Sequence, residues 1–185
     1  MVAVTTLPWS RPFTLADLDT MPNDGHRYEL LDGTLLVTPA PSLSHQTVVP
    51  RVWRLLEDAR PAELRVLVAP FDVVLADDTV LQPDVLVARR SDLTDRNLPA
   101  APVLAVEVLS PSTQRIDRFL KHSRYAAAGV EHYWIIDPAG PSLVAYVLST
   151  TGTYDEVARV HGDETYAASA PFDVLITPTQ LVAES

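Results

Sequence analysis

Residues 103–138 read VLAVEVLSPSTQRIDRFLKHSRYAAAGVEHYWIIDP, and this stretch decides the fold. VLAVEVL is apolar at alternate and intervening positions alike, the pattern of a central strand covered on both faces. SPST then opens a helix that reads to about Ala128, with Gly129 as its C-terminal stop. HYWIID is a second buried strand, ended by Pro138. Strand, helix and strand in this order predict a mixed α/β domain built around a sheet. Along the helix, Ile116, Phe119, Leu120, Ser123 and Ala127 make the expected inward stripe. Asp117, Lys121 and Arg124 line an adjacent one.

Two residues of this stretch are out of place for a purely structural unit. Glu107 lies inside VLAVEVL, where an unpaired ionised carboxylate would cost several kcal/mol. Lys121 is the only lysine in the chain, against thirteen arginines. An ammonium is compact and titratable where a guanidinium is neither, so a single retained lysine suggests proton handling. Asp117 sits four residues before it, on the same helix face. The bland alternatives are a surface i,i+4 salt bridge for Asp117 and Lys121, and an arginine partner for Glu107.

Working upstream, LRVLVAPFDVVLA and TVLQPDVLVA read as strands joined at Asp77-Asp78. Asp84 follows Pro83 in the second of them, and proline there interrupts the ladder and aims the next side chain. Two carboxylates on neighbouring buried strands make a hard-oxygen site suited to Mg²⁺ or Mn²⁺. YELLDGTLLVTP has Asp32-Gly33 between two extended runs, a hairpin signal. Apolar positions 48, 49, 52, 55, 56 and 59 fit a helix that begins near Pro50, with His45 just before it. Thr14 caps a short helix, LADLDTM. Downstream, SLVAYVL, YDEVARV and TYAASA read as an antiparallel meander closed by PFDVLITP. Residues 1–12 read as a loose arm and 13–185 as one domain.

Composition limits the classes open to the chain. Without cysteine there is neither a disulfide nor thiolate chemistry. The N-terminus lacks the pattern of a signal peptide, and no apolar run reaches membrane-spanning length, so a cytoplasmic protein without a membrane partner is expected. A net charge of −10 opposes tight, non-specific binding of a polyanion. Arg115, Arg118, Lys121 and Arg124 nonetheless form a local basic stripe. The five histidines show no zinc spacing, and P-loop, nucleophile-elbow and EF-hand signatures are missing.

QPDVLV, LAVEVLSPST, DRFLKHSRYAAAGVEHYWIIDP and YELLDGTLLVTPAPSLSHQ, in this order and spacing, resemble the Uma-two family of endonucleases, within the PD-(D/E)XK nuclease-like superfamily. The resemblance spans roughly residues 13 to 180. It implies a restriction-endonuclease-like core: a central mixed sheet flanked by helices, with an N-terminal hairpin and a C-terminal antiparallel meander. Asp84 and Glu107 then correspond to the motif acids and metal ligands, joined by a backbone carbonyl near Val108. The superfamily's lysine falls at position 109, where this chain has Leu109, and Lys121 is the natural migrated substitute. Glu29 enters as a third acid of the catalytic set, and His45 as a contact to phosphate. Arg115, Arg118 and Arg124 are expected on the flanking backbone. The implied activity is Mg²⁺- or Mn²⁺-dependent hydrolysis of phosphodiester bonds in DNA. The alternatives are a nuclease-like module that binds nucleic acid or protein without cutting, and a hydrolase of a smaller phosphorylated substrate. A homodimer stays open.

Overall fold

The computed structural model describes residues 11–38, 40–110 and 116–183. Arg115 and the remainder of 111–115 lie outside the described residues, as do residues 1–10 of the expected arm. Thr14 and Asp17 cap each other at the start of α1 (Leu15–Leu18). The hairpin forms as the sequence implies, with β1 (Arg27–Leu31) and β2 (Thr34–Thr38) paired antiparallel. Its two turn residues, Asp32 and Gly33, have φ of 51° and 72°, the left-handed pair of a two-residue turn. A Cβ on Gly33 would lie 2.4 Å from the Pro12 Cβ, so this position excludes any other residue.

Helix α2 spans Leu43–Ala59 and starts earlier than expected, with Ser42 as its N-cap and Pro50 in its interior. Burial of Val48, Val52 and Leu56 drives the helix through the proline. Pro50 itself is exposed, leaving the carbonyl one turn before it open to water. His45 therefore belongs to the first turn of α2.

The two long apolar runs each divide at a proline. LRVLVAPFDVVLA gives β3 (Leu64–Val68) and β4 (Asp72–Ala76), and TVLQPDVLVA gives β5 (Thr79–Leu81) and β6 (Val85–Arg89). The halves enter different sheets. After β7 (Asn97–Leu98) come β8 (Leu104–Val108), a π-helical turn (Ile116–Lys121), α3 (His122–Ala127) and β9 (His132–Asp137). Then follow β10 (Ser142–Leu148), β11 (Tyr154–His161), β12 (Tyr166–Ala168), β13 (Val174–Ile176) and α4 (Pro178–Val182). Among the described residues, one sheet has the order β11-β10-β9-β8-β6-β3 and a second β2-β1-β5-β4-β7. In the first, only β8 and β9 pair in parallel, joined by the helical crossover, and β8 is central as its sequence predicts. β10 and β11 continue that sheet, whereas β12 leaves the expected meander to pair with β13.

Alternation along the strands fixes the two faces of the larger sheet. Leu104, Val106 and Val108 of β8, with Trp134 and Ile136 of β9, pack with Val48, Val52 and Leu56 of α2 in one core. Ala105, Leu109, Tyr133 and Ile135 turn the other way, against Leu31, Leu81 and Tyr125. Glu107 shares parity with Ala105 and so faces α3. Asp84 shares parity with Leu86, which packs on Val73 and Leu98 of the smaller sheet. Both acids thus point from the larger sheet toward the smaller one. No helix among the described residues is long and apolar enough to cross a membrane.

Candidate active site

The face between the sheets collects a group of charged side chains. Glu29, Asp84, Glu107, Asp117 and Lys121 are each at most 2% exposed. β1 contributes Glu29, and Arg27 two residues earlier on the same strand face. The break between β5 and β6 contributes Gln82 and Asp84. Central β8 contributes Glu107, and the helical segment contributes Asp117, Lys121 and Tyr125.

The helix presents its polar side inward, opposite to the expected stripe. Phe119 and Leu120 are 67% and 53% exposed, and Ser123 and Ala127 are also exposed. Asp117, Lys121 and Tyr125, spaced by four, are buried. The cause is the partner surface. What the helix covers is a buried carboxylate cluster, so a cation and a hydroxyl are the groups that compensate it. The wide π-helical turn ends at Lys121, and such turns recur at functional sites.

Lys121 Nζ lies 2.9 Å from Glu29 Oε1, 3.0 Å from Glu107 Oε1 and 3.7 Å from Asp117 Oδ1. The Tyr125 hydroxyl donates to Glu107 Oε1 at 3.0 Å, and the Gln82 backbone N–H donates to Glu29 Oε1 at 2.7 Å. Asp84 Oδ1 accepts from Arg27 at 2.9 Å. Its Oδ2 accepts from the Val108 N–H at 2.9 Å and lies 3.0 Å from His45 Nε2. Arg27 Nε stands 3.7 Å from Glu29 Oε2, so its guanidinium bridges two acids. Four carboxylates therefore face two permanent cations, Arg27 and Lys121, plus His45.

The protonation states follow from this imbalance. Burial pushes the Glu107 carboxyl well up, and the acids Asp117, Asp84 and Glu29 push the same way, against Lys121. Burial also works against Asp84, but His45 and Arg27 outweigh it and bring the carboxyl down to about 2. Lys121 loses solvation yet is raised by Glu107, Glu29 and Asp117, which keep it an ammonium. Tyr125 is held well above the usual phenol range by burial and by Glu107.

The expected residues are not all gathered here. Asp84, Glu107, Lys121, Glu29 and His45 come together. Arg118 and Arg124 do not: Arg118 lies 3.2 Å from Asp137 Oδ2, and Arg124 pairs with Asp32. The expected basic stripe is thus divided, with Lys121 turned inward and the two described arginines bound to acids. Arg27 and Gln82 were not singled out from the sequence, and Tyr125 reads there as a core or rim aromatic without a chemical role. Two were legible in hindsight, since Arg27 shares the strand parity of Glu29 and Tyr125 is one helical turn beyond Lys121.

The chemistry of the donors suits a divalent cation by type, since Asp84, Glu107 and Glu29 offer hard carboxylate oxygens. Among the described residues, no three His, Asp or Glu groups form a ready-made metal cage. Asp84 is held by Arg27 and His45, while both hydrogen bonds recorded at Glu107 fall on Oε1.

A mixed sheet whose central strand sets Glu107 against the helix-borne Lys121, with Asp84 at the break of the neighbouring strand beside Arg27 and His45, has a restriction-endonuclease-like fold. A crystal structure from Anabaena variabilis, titled a "putative nuclease belonging to DUF820", has this fold, with a TM-score of 0.70 at 18% identity over 92% of this chain and 98% of that one. The chain belongs to the Uma2 family, described as "Putative restriction endonuclease", whose match covers residues 15–179. No curated protein matches it.

Proposed function

We propose that this protein is a divalent-cation-dependent phosphodiesterase that cuts DNA, with Asp84, Glu107, Glu29 and Lys121 as its catalytic residues. The observation that carries this reading is the Lys121 ammonium within 3.0 Å of Glu107, although the chain has Leu109 where the superfamily places its lysine. Leu109 is buried in the apolar cluster beside α3, and the long side chain of Lys121 reaches the acids from the helix instead.

Asp84 and Glu107, with Glu29 beside them, would hold Mg²⁺ or Mn²⁺, which when bound supplies Lewis acidity at the scissile phosphate. Lys121 Nζ orients the attacking water as an ammonium and, once it has shed its own proton to solvent, takes one from that water as the amine, a task that a compact titratable group serves and a guanidinium does not. Glu29 and Asp117 keep that nitrogen charged until the acids are otherwise engaged. Tyr125 fixes the Glu107 carboxyl through its hydroxyl. His45 and Arg27, both at Asp84, stand nearest to an incoming phosphate. Arg118 and Arg124 would reach flanking phosphates by exchanging Asp137 and Asp32 for them, with Arg115 as the third member of that set.

One observation favours a second reading, a module that binds without cutting. Both Asp84 oxygens are already engaged by Arg27, His45 and Val108. Metal affinity separates the two. Calorimetry with Mg²⁺ and a nicking assay on plasmid and single strands should show binding and metal-dependent cleavage for the wild type and neither for Glu107→Ala. Lys121→Arg should bind metal almost as well but cut about a hundredfold more slowly, the loss expected for a proton-transfer group. A wild-type protein that neither binds the ion nor cuts leaves the binding module as the better account.

A further inference from the structure

A groove of about 970 Å³ opens beside the charged cluster, and its lining includes Arg27, His45, Gln82 and Asp84. Lys121, Glu107 and Glu29 lie behind that wall, their side chains no more than 3% exposed. The rest of the lining is largely apolar, with Trp53 and Val68 among its exposed hydrophobic members. Trp53 is 38% exposed, yet its indole N–H donates to the Val66 carbonyl at 3.3 Å. Its ring is therefore held at a fixed angle rather than free to fold away.

The same wall carries unused polar atoms. Among the described residues, four buried side-chain atoms lack a hydrogen-bond partner, and Arg27 Nε, His45 Nδ1 and Gln82 Oε1 are three of them. Buried polar atoms are normally satisfied, and although Arg27 Nε stands 3.7 Å from Glu29 Oε2, His45 and Gln82 line the groove with spare hydrogen-bonding capacity just beneath its surface, which suits a ligand with polar edges. A flat apolar face with polar edges, attached to an anion, meets that description.

Duplex DNA does not fit the remaining facts. A double helix presents its phosphates on a broad convex surface, while Glu29, Glu107 and Lys121 are sealed behind a groove whose wall holds Asp84. Binding a duplex also draws on a wide basic footprint. Here the net charge is −10, and the described arginines of the expected stripe are matched to Asp137 and Asp32. A single strand asks for less: a stacking platform and a narrow path for its backbone.

We infer that the groove takes an unpaired polynucleotide strand, one base stacking on Trp53 while its backbone passes Arg27 on the way to Asp84. This rests on the nuclease reading for its chemistry but not for its binding. The test is fluorescence polarisation of labelled oligonucleotides, single-stranded DNA, single-stranded RNA and a DNA duplex of the same sequence. Wild-type protein is titrated in EDTA and in Ca²⁺. At least one single strand should bind about tenfold or more tightly than the duplex, from stacking that a paired base cannot offer. Trp53→Leu, which keeps apolar bulk but removes the aromatic face, should weaken that binding about fivefold or more. Trp53→Phe, which keeps a face, should stay near the wild type. The DNA and RNA arms identify the sugar.

Equal or tighter duplex binding, no binding of either strand, or a Trp53→Leu protein that binds as the wild type does would each overturn the inference. Cleavage is scored separately in Mg²⁺. Preferential cutting of duplex discards the unpaired strand and keeps the nuclease. Tight strand binding without cleavage of any substrate does the reverse.

Discussion

Glu107 shows how one residue links burial, charge and pH. Inside β8 its carboxyl is raised above the ordinary 4.5, so the folded protein holds the proton more tightly than the unfolded chain does. The stability this contributes is complete below the ordinary value and is lost as pH rises through the folded one. Asp84 has the opposite sign. Lowered from 3.8 to about 2, it stabilises the fold above its ordinary value, and that contribution disappears as pH falls through the lower one. A shift of that size corresponds to about 2 kcal/mol. Glu107→Gln removes only the first effect. In EDTA, urea midpoints should show the variant gaining on the wild type as pH rises from about 5 to about 8. A gap that stays flat or narrows would mean that Glu107 is already ionised and held by Lys121. The sequence revealed this residue because an acid inside VLAVEVL has no cheap structural reason to be there. Arg27 and Tyr125 gave no such sign. An arginine near a strand start and a tyrosine in a helix are ordinary until the fold sets them against Asp84 and Glu107.

Elements were legible where a local rule and the core agreed. The Asp32-Gly33 hairpin, central β8 and the Gly129 stop all formed as read, each from a short-range signal. The departures have one shared cause, which is that tertiary burial overrode a local rule. Proline should have delayed α2, but Val48 and the turn around His45 are worth more to the protein when helical. Hydrophobicity should have turned Phe119 and Leu120 inward, but the surface beneath that helix is a set of carboxylates. The first departure has a measurable consequence. Pro50 keeps one hydrogen bond of α2 unmade on an exposed face, so Pro50→Ala should stabilise the protein by about 1–3 kcal/mol, less the entropy that proline removes from the unfolded chain. Urea denaturation measures it. An unchanged or lower midpoint would show that the helix is bent around Pro50 in a way alanine does not share.

At the scale of the molecule, the prolines at 70 and 83 matter most. Each divides an apolar run that reads as one strand, and each sends the two halves into different sheets. The order of the elements gave mixed α/β and could not give two large sheets. That division depends on which strands find partners, and only long-range pairing decides it. The break at Gln82–Asp84 is where the chain crosses between sheets, and the charged cluster is assembled at that crossing. Arg27 and Glu29 arrive from the smaller sheet, Glu107 from the larger, and Lys121 closes the circuit.

Seen mechanically, the cluster is a rivet: the groups proposed for chemistry also fasten one sheet to the other. Lys121→Met would leave its acids facing one another across the joint, a cost of about 3–5 kcal/mol when a buried pair loses a partner. The smaller sheet should then lift before the larger one melts. Amides of β1 and β5 should exchange about tenfold faster or more, with those of β8 and β9 still slow. Uniform acceleration in both sheets would show that they open as one body. If the joint does open separately, whatever binds the acids fastens two parts of the protein that otherwise move independently.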